Sequence, residues 1–414
     1  MSEWKKVKLE ELYEVHNGLS KGRQFFGTGF PFLTFSDVFN NWFLPKQLES
    51  LVQTTDKERE SCSIKAGDVF ITRTSETMDE LGMSSVALRD YPNATYNGFT
   101  KRLRPITDRV NPRYIGYYLR TPKFRGQFMA FSSMTTRASL ANNDLLNMEV
   151  ELPSMETQHR IANILSRYDS LIENYQKQIK LLEEAAQRLY KEWFIDLHFP
   201  GHENTNIVDG VPEGWEKKKL CELFSFVRGK SYTSKELSDE GTIMVNLKNI
   251  QSFGGYKSDV EKHFIGTYKE EQTLMKGDLI MGVTDMTQER RLVGSVALIP
   301  DFKETATFSM DLIKLISFKL PNIYLYCAMR YGDVSRQIAP LANGVNVLHL
   351  KPEAISNIEM VVASDSIIEK FVSYTSKTIE SILSLQSQLR LLTEARDRLL
   401  PKMMSGEIKI ESLN

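Results

Sequence analysis

The sequence predicts an α+β protein in which two mixed α/β globular domains are separated by a pair of long antiparallel coiled-coil helices, related by a pseudo-two-fold internal repeat. Three observations lead to this prediction: a helical segment that occurs twice, a repeat along the whole chain, and heptad spacing of apolar residues. The segment QIKLLEEAAQRL at 178–189 recurs 210 positions later as QLRLLTEARDRL at 388–399, with seven of twelve positions identical. Duplication at this separation predicts that each half of the chain carries the same elements.

The repeat extends to the globular part of each half. WKKVKLEELYEVHNG at 4–18 aligns with WEKKKLCELFSFVRG at 215–229. IKAGDVFI at 64–71 aligns with LMKGDLIM at 274–281, and each Gly-Asp pair is typical of a tight turn before a short apolar strand. The predicted domains are a first globular domain at 1–153, a first long helix at 154–200, a second globular domain with its leading linker at 201–363, and a second long helix with a C-terminal tail at 364–414.

Each globular domain is followed by a long amphipathic helix. Apolar residues alternate at steps of four and three, which is the spacing of a coiled-coil seam. Ser154 and Ser364 occupy the expected N-cap positions. An antiparallel pair within the chain is favoured, because halves related by a two-fold axis would place their helices antiparallel; a parallel pair with another protein and separate packing are the alternatives. The seam residues are Ile161, Leu165, Tyr168, Ile172, Ile179, Leu182, Leu189, Phe371, Ile382, Leu385, Leu389, Leu392 and Leu399.

The composition is that of an ordinary globular protein, with 41% hydrophobic and 25% charged residues in a chain of 414. A signal peptide and an apolar run of membrane-spanning length are both lacking, so we expect a cytoplasmic location. The three isolated cysteines fit neither a disulfide framework nor a zinc site, which indicates a reducing compartment. The net charge of −1 argues neither for nor against DNA binding, since binding depends on where Lys and Arg cluster.

The motifs of common catalytic sites are incomplete in this chain. His198 and His202 are separated by a Pro-Gly pair, which would break the helix needed to place both imidazoles on one face. Pro300 and Asp301 resemble the start of a nuclease signature, but its closing lysine, Lys314, lies one residue too far along the chain. The sequence contains no GxxxxGK[ST] phosphate loop and no GxSxG elbow. We therefore expect a chain that is non-catalytic on its own and holds no metal.

The two halves differ most in the segments that follow their matching strands. TRTSETMDELGM at 72–83 stands where the second half has GVTDMTQERRLV at 282–293. Both segments are rich in residue types that read base edges in DNA. Two diverged heads on a stiff spacer suit two different DNA half-sites at a fixed separation. The candidate DNA-binding residues are Lys21, Arg23, Arg73, Thr74, Ser75, Lys101, Arg102 and Arg137 in the first half, and Arg228, Lys230, Lys248, Asn249, Thr284, Gln288, Arg290 and Arg291 in the second.

Three stretches carry a resemblance to a known family. They are ELPSMETQHRIANILSRYDSLIENYQKQIKLLEEAAQRLYKEWFIDLHFPG at 151–201, VPEGWEKKKLCELFSFVRGKSY at 211–232, and RLLPKMMSGEI at 398–408. Together with the order globule, helix, globule, helix, they resemble the specificity subunits of Type I restriction-modification systems over essentially the whole chain. The resemblance implies two target-recognition domains, each reading one half of a bipartite asymmetric DNA site. The two helices would set the spacer between the half-sites and dock the modification subunits.

The same resemblance implies partners and cofactors. The chain would bind double-stranded DNA, methyltransferase (modification) subunits, two in number, and restriction (translocase/endonuclease) subunits, and no membrane. It would bind no cofactor itself, because S-adenosylmethionine, ATP and magnesium would be used by the partner subunits for adenine-N6 methylation and ATP-dependent cleavage. Two other functions stay open: the specificity subunit of a modification-only system, and a scaffold whose heads bind proteins.

Overall fold

The structure is a computed structural model of the full chain, and it describes residues 4–75, 81–131, 138–139, 141–258 and 260–408. The chain divides into two compact units. The first unit comprises Met1–Asp169 and Ala395–Asn414, and the second comprises Ser170–Glu394. The boundaries fall inside the two long helices, so each helix contributes residues to both units.

The first unit combines short strands with short helices. Its strands are β1 (Lys5–Lys8), β2 (Tyr13–Asn17), β3 (Phe26–Leu33), β4 (Leu51–Val52), β5 (Val69–Thr72), β6 (Thr74–Ser75), β7 (Ser84–Val86), β8 (Thr95–Tyr96), β9 (Thr100–Pro105), β10 (Ala138–Ser139) and β11 (Glu149–Leu152). Its helices are α1 (Phe35–Asn40), α2 (Asp56–Ser61), α3 (Pro112–Tyr118), α4 (Pro122–Phe131), α5 (Asn142–Asn147) and the first part of α6 (Met155–Tyr190).

The central sheet of the first unit is antiparallel, with strand order β2-β9-β5-β7. Strand β5 is buried along its whole length, and the Gly-Asp turn predicted before it is present, with Gly67 at φ 88°. Helix α3 begins with Asn111, whose side-chain oxygen accepts the backbone N–H groups of Arg113 and Tyr114. One face of α3 then places buried aromatic rings, among them Tyr117, against the sheet.

The second unit repeats this plan. Its strands are β12 (Ile207–Val208), β13 (Val211–Pro212), β14 (Glu216–Lys219), β15 (Phe224–Arg228), β16 (Leu237–Ser238), β17 (Thr242–Val245), β18 (Lys262–Phe264), β19 (Leu279–Gly282), β20 (Thr284–Asp285), β21 (Val296–Leu298), β22 (Ala306–Phe308), β23 (Leu312–Ser317), β24 (Leu348–His349) and β25 (Glu359–Val362). Its helices are α7 (Leu220–Leu223), α8 (Asn322–Tyr331), α9 (Val334–Ile338) and most of α10 (Asp365–Met404). The sheet order β15-β23-β19-β21 matches that of the first unit, and β14-β25 matches β1-β11.

The two long helices begin and end near the predicted positions. At the start of α6 the Thr157 N–H donates to the Ser154 hydroxyl at 3.2 Å, as expected of an N-cap. A π-helical turn, Lys191–Ile195, follows α6, so the helical path ends before Phe199. Helix α10 continues through Pro401 and ends just before Gly406, whose φ is 72°.

The helices pair antiparallel, as predicted. In the first unit the early residues Ile161 and Leu165 of α6 share a core with Met403, which lies late in α10. In the second unit Trp193, in the π-helical turn that follows α6, packs edge-on against Phe371, early in α10, with ring centroids 5.9 Å apart. The fold class read from the sequence is therefore confirmed. No helix in the described part of the chain is long and apolar enough to cross a membrane.

Candidate nucleic-acid interface

Three strands of the central sheet of the first unit have a terminus at the same end of the sheet. Strand β2 ends at Asn17, β5 ends at Thr72, and β9 begins at Thr100. The register places Lys101 opposite Asn17 on one side and Ile71 on the other. Arg73 follows β5, and its guanidinium donates to the Asn17 side-chain oxygen at 3.3 Å. We call Asn17, Arg73 and Lys101 the strand-end cluster of the first unit.

This cluster contains two cations, Arg73 and Lys101, and no carboxylate. Lys101 is only 4% exposed, and its ammonium donates to the side-chain oxygen of Asn142. Burial and, secondarily, the charge of Arg73 lower the pKa of Lys101 to about 8, while Asp144 partly opposes the shift. The Nε of Arg73 is buried and has no acceptor in the described structure. An anionic ligand at this sheet end would satisfy that donor and stabilise both cations.

The turn after β2 in the first unit and the turn after β15 in the second are built alike. A Cβ on Gly18 would lie 2.2 Å from the carbonyl oxygen of Asn97, and one on Gly229 would lie 2.0 Å from that of Ser309. Both glycines are therefore required by a close backbone approach rather than by an unusual φ. Their alignment in the repeat is the sequence signal of this shared geometry.

The second unit presents different side chains on the same backbone. Arg228 ends β15 and lies opposite Ile313, in the register that pairs Asn17 with Lys101 in the first unit. Val283 follows β19 where Arg73 follows β5. The strand-end cluster of the second unit is thus Arg228, Val283 and Ile313. Its cation, Arg228, lies on β15, which is aligned with β2, whereas the cations of the first unit follow β5 or lie on β9. Arg228 forms an ion pair with Glu353 at 2.6 Å, and both side chains are exposed.

The diverged segment of the second unit is held by a single carboxylate. Asp285 accepts the backbone N–H of Thr287 at 2.8 Å and that of Leu292 at 2.7 Å. The Gln288 amide donates to the carbonyl oxygen of Val345 at 2.8 Å. These bonds fix a loop that carries exposed Gln288 and Arg291, both of which have the chemistry to read or grip DNA.

Three of the predicted DNA-binding residues are buried in the structure. Arg102 is 2% exposed, and its guanidinium donates to the Ser63 carbonyl oxygen at 2.6 Å. Asn249 is fully buried and donates to the Lys257 carbonyl oxygen at 3.0 Å. Thr284 is buried within β20. Arg102 and Asn249 are thus bonded to backbone carbonyl oxygens inside their domains, and Thr284 packs within a strand.

The remaining candidates lie at several places on the two units. Lys21 contacts Glu58 at 2.9 Å, whereas Arg23 and Lys248 are exposed. Lys230 is half-buried and follows the close glycine turn of the second unit. Thr74 and Ser75 form β6, which pairs with β10. Arg137 lies outside the residues that the structure describes. Arg290 and Arg291 line a cavity in the second unit.

Sequence analysis missed Asn17 and Asn142, which hold Arg73 and Lys101. A signal for Asn17 was available, since Asn17 aligns with the candidate Arg228 directly before the matched glycines. Asn142 gives no such signal, because its contact with Lys101 spans 41 positions in sequence.

The two histidines set aside in the sequence lie near each other, with ring centroids 5.3 Å apart. The Nδ1 of His202 is hydrogen-bonded to the carbonyl oxygen of Phe199 at 2.9 Å. Among the residues that the structure describes, no group of three or more His, Cys, Asp or Glu side chains is arranged to hold a metal ion.

The seam residues lie where the helices meet. Of the residues proposed for the seam, Ile161, Leu165, Ile179, Phe371, Ile382 and Leu389 are buried, and Tyr168, Ile172, Leu182, Leu189, Leu385, Leu392 and Leu399 are half-buried. The sequence pattern missed Ile379 and Leu383, which are also buried, so the buried face of α10 is wider than one heptad seam.

The chain is similar to specificity subunits of Type I restriction enzymes. Residues 1–184 match the model of the Type I restriction modification DNA specificity domain. The Type I restriction enzyme MjaIX specificity subunit of Methanocaldococcus jannaschii is 27% identical, over 99% of this chain and 95% of that protein. The HindI specificity subunit of Haemophilus influenzae is 22% identical, over 99% of this chain and 100% of that protein. The fold is similar to the crystal structure of a Type I S subunit from M. genitalium, with a TM-score of 0.57 at 15% identity over 97% of this chain and 96% of that one.

Proposed function

We propose that the chain belongs to the family of Type I restriction-modification specificity subunits, to which it is similar over nearly its whole length, and that it gives such a complex its DNA sequence specificity. Each globular domain reads one half of a bipartite asymmetric site. The paired helices set the gap between the half-sites and dock the methyltransferase subunits. The chain itself is the non-catalytic, DNA-recognising member of the complex.

One observation carries the proposal: the two units share a backbone plan but differ in the side chains at the strand ends. The sheets have the same strand order and the same register at this end. The first unit presents Arg73 and Lys101 there, and the second presents Arg228 beside apolar residues. A good bidentate contact to a base discriminates by about 1–3 kcal/mol, so these exchanges are large enough to give each unit its own half-site.

The helices offer a second argument, which concerns the partners. Three of the seven residues that are identical between the duplicated helical segments are exposed in both copies, although exposed positions are the freest to differ. Leu181 is 64% exposed and its repeat Leu391 is 51% exposed. Gln178 and Arg188, with their repeats Gln388 and Arg398, are also exposed. An apolar residue repeated on two exposed faces supports docking of the same partner twice, which fits two methyltransferase subunits.

The chemistry of the complex is assigned to those partners. We propose that the methyltransferase subunits transfer the methyl group of S-adenosylmethionine to adenine N6. Restriction subunits would use ATP and magnesium to translocate and cut DNA. The specificity subunit contributes base recognition, and its binding to DNA decreases with salt concentration because phosphate contacts release counterions.

The test is co-expression of the chain with its methyltransferase subunit, followed by methylation-sensitive sequencing of the host DNA. The expected result is methylation at one bipartite sequence. Exchange of residues 212–363 for the equivalent domain of a relative should change only one half of that sequence. Methylation that changes in both halves would contradict independent heads. Binding of the assembled complex to DNA that is weak and insensitive to salt would contradict DNA recognition altogether.

A further inference from the structure

The second unit contains a cavity of about 560 Å³ beside its diverged loop. The turn at 251–254, the loop at 289–293 and the junction of α8 with α9 surround it. Four arginines line the cavity, Arg290, Arg291, Arg330 and Arg336, together with one carboxylate, Glu289. This volume lies in the range of small-ligand sites, and the balance of charges favours an anion.

Two of the four guanidinium groups are neutralised within the protein. Arg330 donates to both carboxylate oxygens of Glu183, at 2.8 and 3.0 Å, and Arg291 lies 2.5 Å from Glu289. Arg290 and Arg336 have no carboxylate partner in the described part of the chain. The Nε of Arg290 is also buried without an acceptor. The cavity therefore holds two uncompensated cations, one of which has an unused donor.

An exposed aromatic ring stands at the same cavity. Phe253 is 69% exposed, and its φ of 66° lies in the left-handed region, which is unfavourable for a bulky residue. Its backbone N–H donates to the carbonyl oxygen of Arg291 at 3.0 Å. The next residue, Gly254, packs directly on Arg330, since a Cβ there would lie 2.9 Å from Arg330 Cγ. Neither burial of the ring nor a preferred backbone explains why phenylalanine is held in this place.

The first unit lacks this arrangement at the aligned residues. Phe43, in the corresponding part of the first unit, packs edge-on against Tyr117 with ring centroids 5.1 Å apart. Arg120, which aligns with Arg330, donates to the carbonyl oxygens of Val38 and Phe39. The first unit thus packs its aromatic ring into a core contact, whereas the second unit exposes an aromatic ring beside arginines.

We propose that this cavity binds a phosphate-bearing nucleotide with an unpaired base. Arg290 and Arg336 take the phosphate as charge-assisted donors, and the Phe253 ring stacks on the base. A base paired within a duplex cannot present its face to Phe253, so the nucleotide is either free or part of an unpaired strand. This site goes beyond the proposed reading of duplex half-sites, and it does not depend on that reading.

The experiment is calorimetric titration of the full chain with AMP, with a 5′-phosphorylated single-stranded oligo-dA of about four residues, and with inorganic phosphate. Binding of AMP identifies a free nucleotide, and binding of the oligonucleotide alone identifies an unpaired strand. Phe253→Ala should weaken nucleotide binding about 5- to 150-fold, which corresponds to the loss of about 1–3 kcal/mol of stacking, with phosphate binding unchanged. A double variant, Arg290→Ala with Arg336→Ala, should lose both.

Matched controls keep the result interpretable. Phe253→Gly removes the ring and relieves the backbone strain at positive φ, so it serves as the second ring-free variant if Phe253→Ala folds poorly. Phe318→Ala removes another exposed ring outside this cavity, and Lys269→Ala removes an exposed charge elsewhere in the unit. Failure of AMP and the oligonucleotide to bind, or equal binding by all variants, would overturn the proposal. The methylated sequence would then still report whether the chain reads duplex DNA.

Discussion

The helix pair is packed differently in the two units, although the sequence repeat aligns its positions. In the second unit Ile379 of α10 and Ala186 of α6 are both buried in an apolar core. The aligned positions in the first unit are Asp169 of α6 and Arg396 of α10, which form an ion pair at 3.0 Å. Asp169 also accepts the hydroxyl of Tyr117, and Arg396 lies over the ring of Trp42, 5.2 Å from its centroid.

The difference shows that the duplicated seam is held by two kinds of interaction. In the second unit stability comes from buried apolar area, at about 25 cal/mol per Å². In the first unit a partly buried ion pair sits in the seam, where the cost of desolvation offsets much of the attraction. Because the charges must meet, this pair favours one register of the helices, whereas apolar contacts tolerate several. Changes at aligned positions should therefore have unequal effects.

The largest effect is expected at the apolar end of the seam. Phe371 is fully buried and meets the rings of Tyr190, Trp193 and Phe194. Phe371→Ala should lower the free energy of unfolding of the second unit by about 3–5 kcal/mol, because it removes a large side chain and leaves a cavity. Urea unfolding followed by tryptophan fluorescence measures this change. The control is Tyr374→Ala, three residues along the same helix and exposed, which should cost under about 1 kcal/mol; equal costs would contradict the packing described.

Substitution at the polar end of the seam should lower the free energy of unfolding by less, and a second substitution should restore part of the loss. Arg396→Ala leaves the Asp169 carboxylate partly buried without its cation, at a cost of about 1–3 kcal/mol after allowance for the solvent exposure of both groups. Adding Asp169→Ile reproduces the Ile379 and Ala186 arrangement of the second unit and should recover at least half of the loss. Arg167→Ala, an exposed control on α6, should change little. A double variant no more stable than the single one would show that the first unit cannot accept apolar packing.

A smaller effect separates the two strand-end clusters. Lys101→Met replaces a buried ammonium, and the aligned residue of the second unit is the apolar Ile313. At pH 7 the variant should be more stable by about 1–2 kcal/mol, since it avoids desolvation of a charge. The complex should bind DNA more weakly, and the slope of log affinity against log salt should be smaller by about 1 if Lys101 neutralises a phosphate. Tighter or unchanged DNA binding would exclude Lys101 from the interface.

The same lysine predicts how stability depends on pH. Its pKa of about 8 in the folded chain lies below the ordinary value of 10.5, so between these values the unfolded chain binds more protons. Wild-type stability should therefore carry a full penalty below pH 8 and rise by this contribution between pH 8 and 10.5. The Lys101→Met variant should lack that rise. Thermal unfolding of both proteins across this range measures the difference, and parallel curves would rule out the shift.

The fold could be predicted from sequence because its signals are local or repeated. Heptad spacing located the helices, and aligned glycines such as Gly18 and Gly229 marked turns with the same geometry. The site could be predicted only in part. Arg102 lies in β9, where polar and apolar residues do not show that both faces of the strand are buried. Its charge therefore suggested a position on the surface. The pair Asp169 and Arg396 joins residues 227 positions apart, and the positive φ of Phe253 has no turn motif in the sequence to announce it; neither leaves a local pattern.

The smallest predicted effect compares the first residues of the two long helices. Ser154 caps α6 by accepting the N–H of Thr157 at 3.2 Å, whereas the hydroxyl of Ser364, at the start of α10, lies 3.5 Å from that of Ser366. Ser154→Ala should therefore lower the free energy of unfolding of the first unit by about 1 kcal/mol, and Ser364→Ala should lower that of the second by only a few tenths. Urea midpoints at constant m-value test the comparison, with Ser154→Asp as a variant that keeps an N-cap acceptor and should retain wild-type stability. Equal losses at both serines would mean that Ser364 also caps its helix in solution, so that the two helices begin alike after all.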